Sequence, residues 1–239
     1  MNVAALPLDE QAVLILAALV LFASFALLAQ NRILASIHAF AWQGALVAAA
    51  TALVAFVAHQ PHLYLSALLT FGLKALLIPW ALHRLVRRLG IAREVETVVR
   101  PALVMLAAGA LVAFSYYVAL PVEKLSLLAT RNTIAISMSV VLLGMLMMVT
   151  RRQAVTQVVG FMSMENGLFF AAVVSTHGMP MVVELGVAFD VLVATVIFGV
   201  FFFQIRESIE SLDVDRLNRL AETDETEALE QADVAGESE

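Results

Sequence analysis

Apolar residues run through this chain in long blocks, separated by short polar clusters. Seven blocks approach or exceed the roughly 20 residues that an α-helix needs to cross a bilayer. They cover 12–30, 34–58, 63–84, 101–120, 128–150, 154–176 and 179–205. Backbone polar groups find no water inside hydrocarbon, so segments of this kind must satisfy them within a helix. The pattern therefore predicts an all-α, polytopic transmembrane bundle of about seven spans. The third block begins after Pro61, and two of the connections are very short: HQPH at 59–62 and THGMP at 176–180.

Composition agrees. Hydrophobic residues make up 62% of the 239 residues and charged residues 14%, against roughly 45–50% and 25% in soluble domains. Mean hydropathy is +0.91. The net charge of -6 comes largely from the C-terminal end, and no basic patch with interleaved aromatics suggests nucleic acid. Cysteine is absent, which excludes disulfides and thiolate-held clusters within the chain. The N-terminal stretch carries Asp9 and Glu10 where a secretory signal has cations, so its apolar run reads as a retained first span.

Charge also predicts direction. With seven spans, one face collects Arg32, Arg84, Arg87, Arg88, Arg93, Arg100, Arg151, Arg152, Arg206, Arg216 and Arg219, and the other only Lys124 and Arg131. Lys and Arg gather on the cytoplasmic side of membrane proteins, which predicts N-terminus out and C-terminus in, within a cell inner membrane. Three parts follow: a transmembrane domain over 1–205, an amphipathic inner-face segment over 206–220, and an acidic, disordered tail over 221–239. A weak repeat lays QGALVAAA (43–50) over ENGLFFAA (165–172), setting Gln43 against Glu165.

Four ionisable residues fall inside the apolar blocks: Lys74, Glu165, Glu184 and Asp190. Each costs about 2.5–3.5 kcal/mol at mid-bilayer if it faces lipid, so such groups turn inward and pair, and they mark functional sites. Carboxyls in apolar surroundings beside a movable amine can bind and release a proton, the chemistry of a relay rather than of bond cleavage. Gln43, His38, Gln157, Ser163 and Asn166 are polar residues suited to bridging waters or interhelical hydrogen bonds. The other reading of the charged residues is a structural pair that fixes helix register.

No Walker loop, HExxH or strand-associated GxGxxG occurs, and no catalytic constellation is visible. The five histidines are scattered near span ends, a weak signal for metal or haem. The sequence thus predicts no catalytic residue, no metal and no cofactor in this chain. A stand-alone transporter or cation channel is the alternative function. It favours broken helices around a midplane site, which the sixth and seventh spans do not offer.

The run VTRRQAVTQVVGFMSMENGLFFAAVV, the turn THGMP, and VVELGVAFDVLVATVIFGVFFFQIRES resemble the hydrogenase-4 component E family. LTFGLKALLIPWALHRLVRR and SLDVDRLNRL are similar to other segments of that family. Residues 128–205 also resemble the three-helix K-type subunit of complex I and the C-type subunit of multisubunit Na+/H+ antiporters. By helix, Glu165 and Asp190 match the paired carboxylates of those subunits. Glu165 lies one turn late, and Asp190 is an Asp where they have Glu. The resemblance implies a non-redox, non-catalytic membrane subunit of a complex I-like hydrogenase or formate hydrogenlyase-type assembly. It also implies partners: antiporter-like membrane subunits and a hydrophilic redox module on the inner face.

Overall fold

The computed structural model describes residues 7–88, 99–121, 128–175, 186, 188, 190–196 and 199. Among them every regular element is helical: α1 (Leu8–Ala29), α2 (Ile33–Ala58), α3 (Pro61–Thr70), a π-helical segment (Phe71–Leu77), α4 (Ile78–Arg88), α5 (Pro101–Ala119), α6 (Leu128–Thr150) and α7 (Ala154–Ser175). Residues 1–194 form one compact unit. Beyond it, Thr195, Val196 and Gly199 are described, and all are helical.

Among the described residues, six helices are long and apolar enough to cross a membrane: Leu8–Ala29, Ile33–Ala58, Leu63–Arg87, Pro101–Ala119, Asn132–Thr150 and Ala154–Ser175. They match the first six predicted spans. Most of the seventh, 179–205, lies outside the described residues, although 190–196 is helical. The segments 206–220 and 221–239 also lie outside them. Large apolar side chains such as Phe22, Trp42, Phe56, Leu106 and Tyr117 are exposed on the bundle, as suits a multi-pass membrane protein. Buried hydroxyls on the helices bond back to the carbonyl four residues earlier, as Ser24, Thr51, Ser137 and Ser139 do, so they need no water.

The first helix begins at Leu8, four residues before the predicted span. Asp9 and Glu10 stand in its first turn, where free N–H groups and the positive end of the helix dipole favour carboxylates. At the other end of the bundle's second crossing, His59 takes a left-handed conformation at φ 53° and closes α2. Pro61 then starts α3, because its fixed φ suits a first helical turn and its missing N–H is one that has no partner there. The HQPH connection is thus as tight as its sequence indicated.

The third crossing runs through α3, the π-helical segment and α4. Pro79 explains its irregularity. It offers no N–H to the Ala75 carbonyl, and its ring crowds that oxygen. The backbone just before it widens, and the Ile78 N–H bonds to the Leu73 oxygen five residues back. Lys74 sits at the centre of this widened turn.

Helix α2 packs on α1, α3, the π-helical segment, α4 and α7, while α6 packs on α1, α5 and α7. An apolar core joins Val20 of α1, Val47 and Val54 of α2, Leu63 of α3, Val140 of α6 and Phe170 of α7. The close pair is α6 and α7. A Cβ on Gly144 would stand 2.6 Å from the Met164 nitrogen, and one on Gly167 would stand 2.9 Å from the Val141 nitrogen. Only a bare Cα permits backbones this near, the small-residue packing that membrane helices favour.

Candidate functional site

The π turn delivers Lys74 to the bundle interior, where the residue is fully buried. Gly44 makes this possible. A Cβ there would lie 2.9 Å from the Lys74 Cβ and 3.2 Å from its carbonyl carbon, so α2 can approach the widened turn only at a residue without a side chain.

Two carboxylates meet the ammonium. Lys74 Nζ donates to Glu165 Oε2. It also lies 3.1 Å from Asp190 Oδ1, within ion-pairing distance but without the angles of a hydrogen bond, so neither Asp190 oxygen has a hydrogen-bond partner. Phe169 stands four residues after Glu165 on the same face of α7. Its ring centroid is 5.0 Å from Nζ, where the electron-rich face attracts the cation. Lys74 and Asp190 are fully buried and Glu165 is nearly so.

Charge counting gives the triad its character. One ammonium neutralises one carboxylate, and the second carries a surplus negative charge. A buried charge without compensation is expensive. The three groups reach neutrality only when the two carboxyls hold one proton between them.

A neutral polar cluster adjoins the triad. Asn166, next to Glu165, donates from Nδ2 to Gln43 Oε1 at 3.2 Å. Gln43 Nε2 in turn donates to Ser24 Oγ at 2.7 Å and to Ser163 Oγ at 2.9 Å. All four residues are buried. Asn166 Oδ1 and Thr70 Oγ1 have no hydrogen-bond partner, and Thr70 precedes Lys74 by one helical turn. The site therefore draws on α1, α2, the third crossing, α7 and the helical residues around Asp190, and keeps unused acceptors in its interior.

The predicted residues divide clearly. Lys74, Glu165 and Asp190 converge, and Gln43, Ser163 and Asn166 adjoin them. Glu184 lies outside the described residues. His38 is exposed and packs against His83, with ring centroids 5.8 Å apart. Gln157 is exposed and donates to the Arg151 carbonyl at 2.9 Å. Neither joins the buried cluster. Sequence reasoning passed over Gly44, Thr70, Ser24 and Phe169. Thr70 and Phe169 stand four residues from Lys74 and Glu165, so a search of helix faces around each charge would have found them, and Gly44 directly follows Gln43; Ser24 carries no such signal. The segments of the suspected repeat lie side by side, since Gln43 of the first touches Asn166 of the second. Among the described residues, no group of three or more His, Asp or Glu side chains is arranged to hold a metal ion.

No protein-family model matches the chain, and no solved structure matches it. It is 33% identical over 187 residues to "Uncharacterized protein Rv0085" of Mycobacterium tuberculosis, an alignment covering 78% of this chain and 85% of that protein. It is 27% identical over 150 residues to "Hydrogenase-4 component E" of Escherichia coli K12, covering 63% of this chain and 69% of that one. The same figures hold for "Hydrogenase-4 component E" of Shigella flexneri.

Proposed function

The chain belongs to one family with the mycobacterial protein Rv0085, and from its distant likeness to hydrogenase-4 component E and its buried ion triad we propose that it is a membrane subunit of a complex I-like, redox-driven assembly. In this reading it carries no redox centre and catalyses no reaction itself. It sits in a cell inner membrane with its C-terminus inside, beside antiporter-like subunits and a redox module at the inner face. Its task is to hold and pass a proton during coupling.

The observation that carries this reading is the Lys74–Glu165–Asp190 triad, with two carboxyls for one buried amine. When Lys74 shifts toward one carboxylate, the other becomes the better place for the shared proton. A change in a neighbouring subunit that moves the third crossing would therefore move the proton between Glu165 and Asp190. Asp190 Oδ2, which accepts no hydrogen bond, offers the proton a place to arrive. Lysine suits this role because its charge is a compact point on a flexible stem.

Glu165→Gln in the assembled complex tests the proposal. Electron transfer and subunit composition should persist while proton accumulation in sealed vesicles falls to background. Unchanged proton accumulation would overturn the relay. Loss of subunits instead of coupling would assign the triad to helix pairing.

A further inference from the structure

A second buried cation lies far along the chain from the triad. Arg151, in the short link between α6 and α7, is 4% exposed. Its Nη2 donates to the Leu28 carbonyl at 2.5 Å and the Gln30 carbonyl at 3.1 Å, closing the C-terminal end of α1. Its Nε and Nη1 have no hydrogen-bond partner. Burial pushes the pKa of the guanidinium below its ordinary value, and among the described residues no neighbouring carboxylate offsets this. Arginine nonetheless keeps its charge. A buried guanidinium with two idle donors is expensive unless something anionic completes it.

The surroundings indicate what would. Arg151 lines a cavity of about 240 Å3 together with Leu28, Ala29, Asn31, Pro101, Val104 and Met105, a wall that is mostly apolar. Pro101 and Ala102 bring the N-terminal end of α5 to the same cavity. Helix N-termini favour anions. Exposed Arg32, Arg100 and Arg152 each adjoin in sequence a residue lining the cavity. The combination is one anion-seeking end and one greasy wall, with exposed arginines next in sequence to the lining residues. Basic pockets between membrane helices hold lipid head groups in this way.

We propose that this cavity binds a phosphate-bearing amphiphile, with its phosphate at a free nitrogen of Arg151 and the first part of its acyl chain along Leu28, Val104 and Met105. The volume falls short of the roughly 300–1,000 Å3 of pockets that enclose a whole drug-sized ligand. It suits a head group and the top of a chain, the rest lying in the bilayer. The phosphate accepts a charge-assisted hydrogen bond from a free nitrogen of the guanidinium, and it adds a full counter-charge to a carbonyl-only environment.

Binding is measured on the full-length chain, purified with any subunits it retains. Phosphatidylglycerol, phosphatidylcholine and soluble glycerol 3-phosphate are titrated, with native mass spectrometry as the readout. Wild type should retain phosphatidylglycerol about tenfold better than phosphatidylcholine, the scale of one charge-assisted pair at 1.4 kcal/mol per tenfold. Arg151→Gln should erase that preference, and Arg151→Lys should restore part of it. Because Arg151 also secures α1, Met105→Trp provides a second variant. It fills the cavity, leaves the guanidinium intact, and should lower phosphatidylglycerol retention by a similar factor with unchanged elution on size exclusion. Equal retention of the two lipids by wild type, or an undiminished preference in Met105→Trp, would overturn the proposal. Competition by glycerol 3-phosphate at the same concentration as the lipid would overturn the acyl-chain part and leave a soluble phosphate as occupant. None of these measurements reads proton coupling, so they stand or fall apart from the triad.

Discussion

Lys74 is the residue on which the buried site turns. It holds two carboxylates and an aromatic face at once, and removing its charge strands both anions. Lys74→Met should lower stability by about 3–5 kcal/mol, the cost of breaking a buried pair from one side. Thermal unfolding in detergent measures it. The triple variant Lys74→Met, Glu165→Met, Asp190→Leu should regain most of that loss, because replacing a buried ionic group by apolar residues of similar volume is often neutral or stabilising. A triple variant no more stable than the single one would show that the charges are not the source of the instability. The three charged members were legible in the sequence because ionisable side chains inside apolar blocks declare themselves. The neighbouring polar cluster was less so, since Ser24 looks like an ordinary small polar residue until packing brings it to the Gln43 amide.

At the scale of elements, the decisive feature is the meeting of α2 with the widened turn before Pro79. Gly44→Ala places a methyl 2.9 Å from the Lys74 Cβ, and neither backbone has room to yield. Overpacking of this kind typically costs about 1–3 kcal/mol. The expected outcome is a lower unfolding temperature and impaired coupling, while a change at Gly109, where nothing stands within 4 Å, leaves both untouched. Pro79→Ala returns an N–H for the Ala75 carbonyl and favours α over π geometry. Losing one residue from the wide turn rotates the helix upstream by about 100°, which carries Lys74 away from its carboxylates. Coupling should then fall in Pro79→Ala even where the protein unfolds no more easily, and retained coupling would contradict this account of the turn. The helices themselves were readable from apolar run length alone. The π segment was not, because a proline in a helical run signals a kink without saying how the backbone absorbs it.

For the whole molecule, the first six spans and their ends emerged from hydropathy nearly intact, with α1 starting earlier because its acidic residues belong to its first turn. Direction across the membrane is a property of the bilayer, and only the arginine distribution speaks to it. The chain lacks cysteine, so single substitutions report without background. Gln60→Cys and Arg152→Cys, both at exposed positions, should react with impermeant thiol reagents from opposite sides, Gln60→Cys from outside intact cells and Arg152→Cys only in inverted vesicles. The reverse pattern would invert the proposed topology.

The central claim is that, beside the charged Lys74, the Glu165 and Asp190 carboxyls share a single proton inside the bundle. Infrared difference spectroscopy of the assembled complex in light and heavy water reads this directly through the C=O stretch of a protonated carboxyl. The account predicts one such band that shifts with deuterium, responds to turnover, and disappears in Asp190→Asn or Glu165→Gln. A spectrum without a protonated carboxyl assignable to either residue, in resting enzyme and in turnover alike, would contradict it.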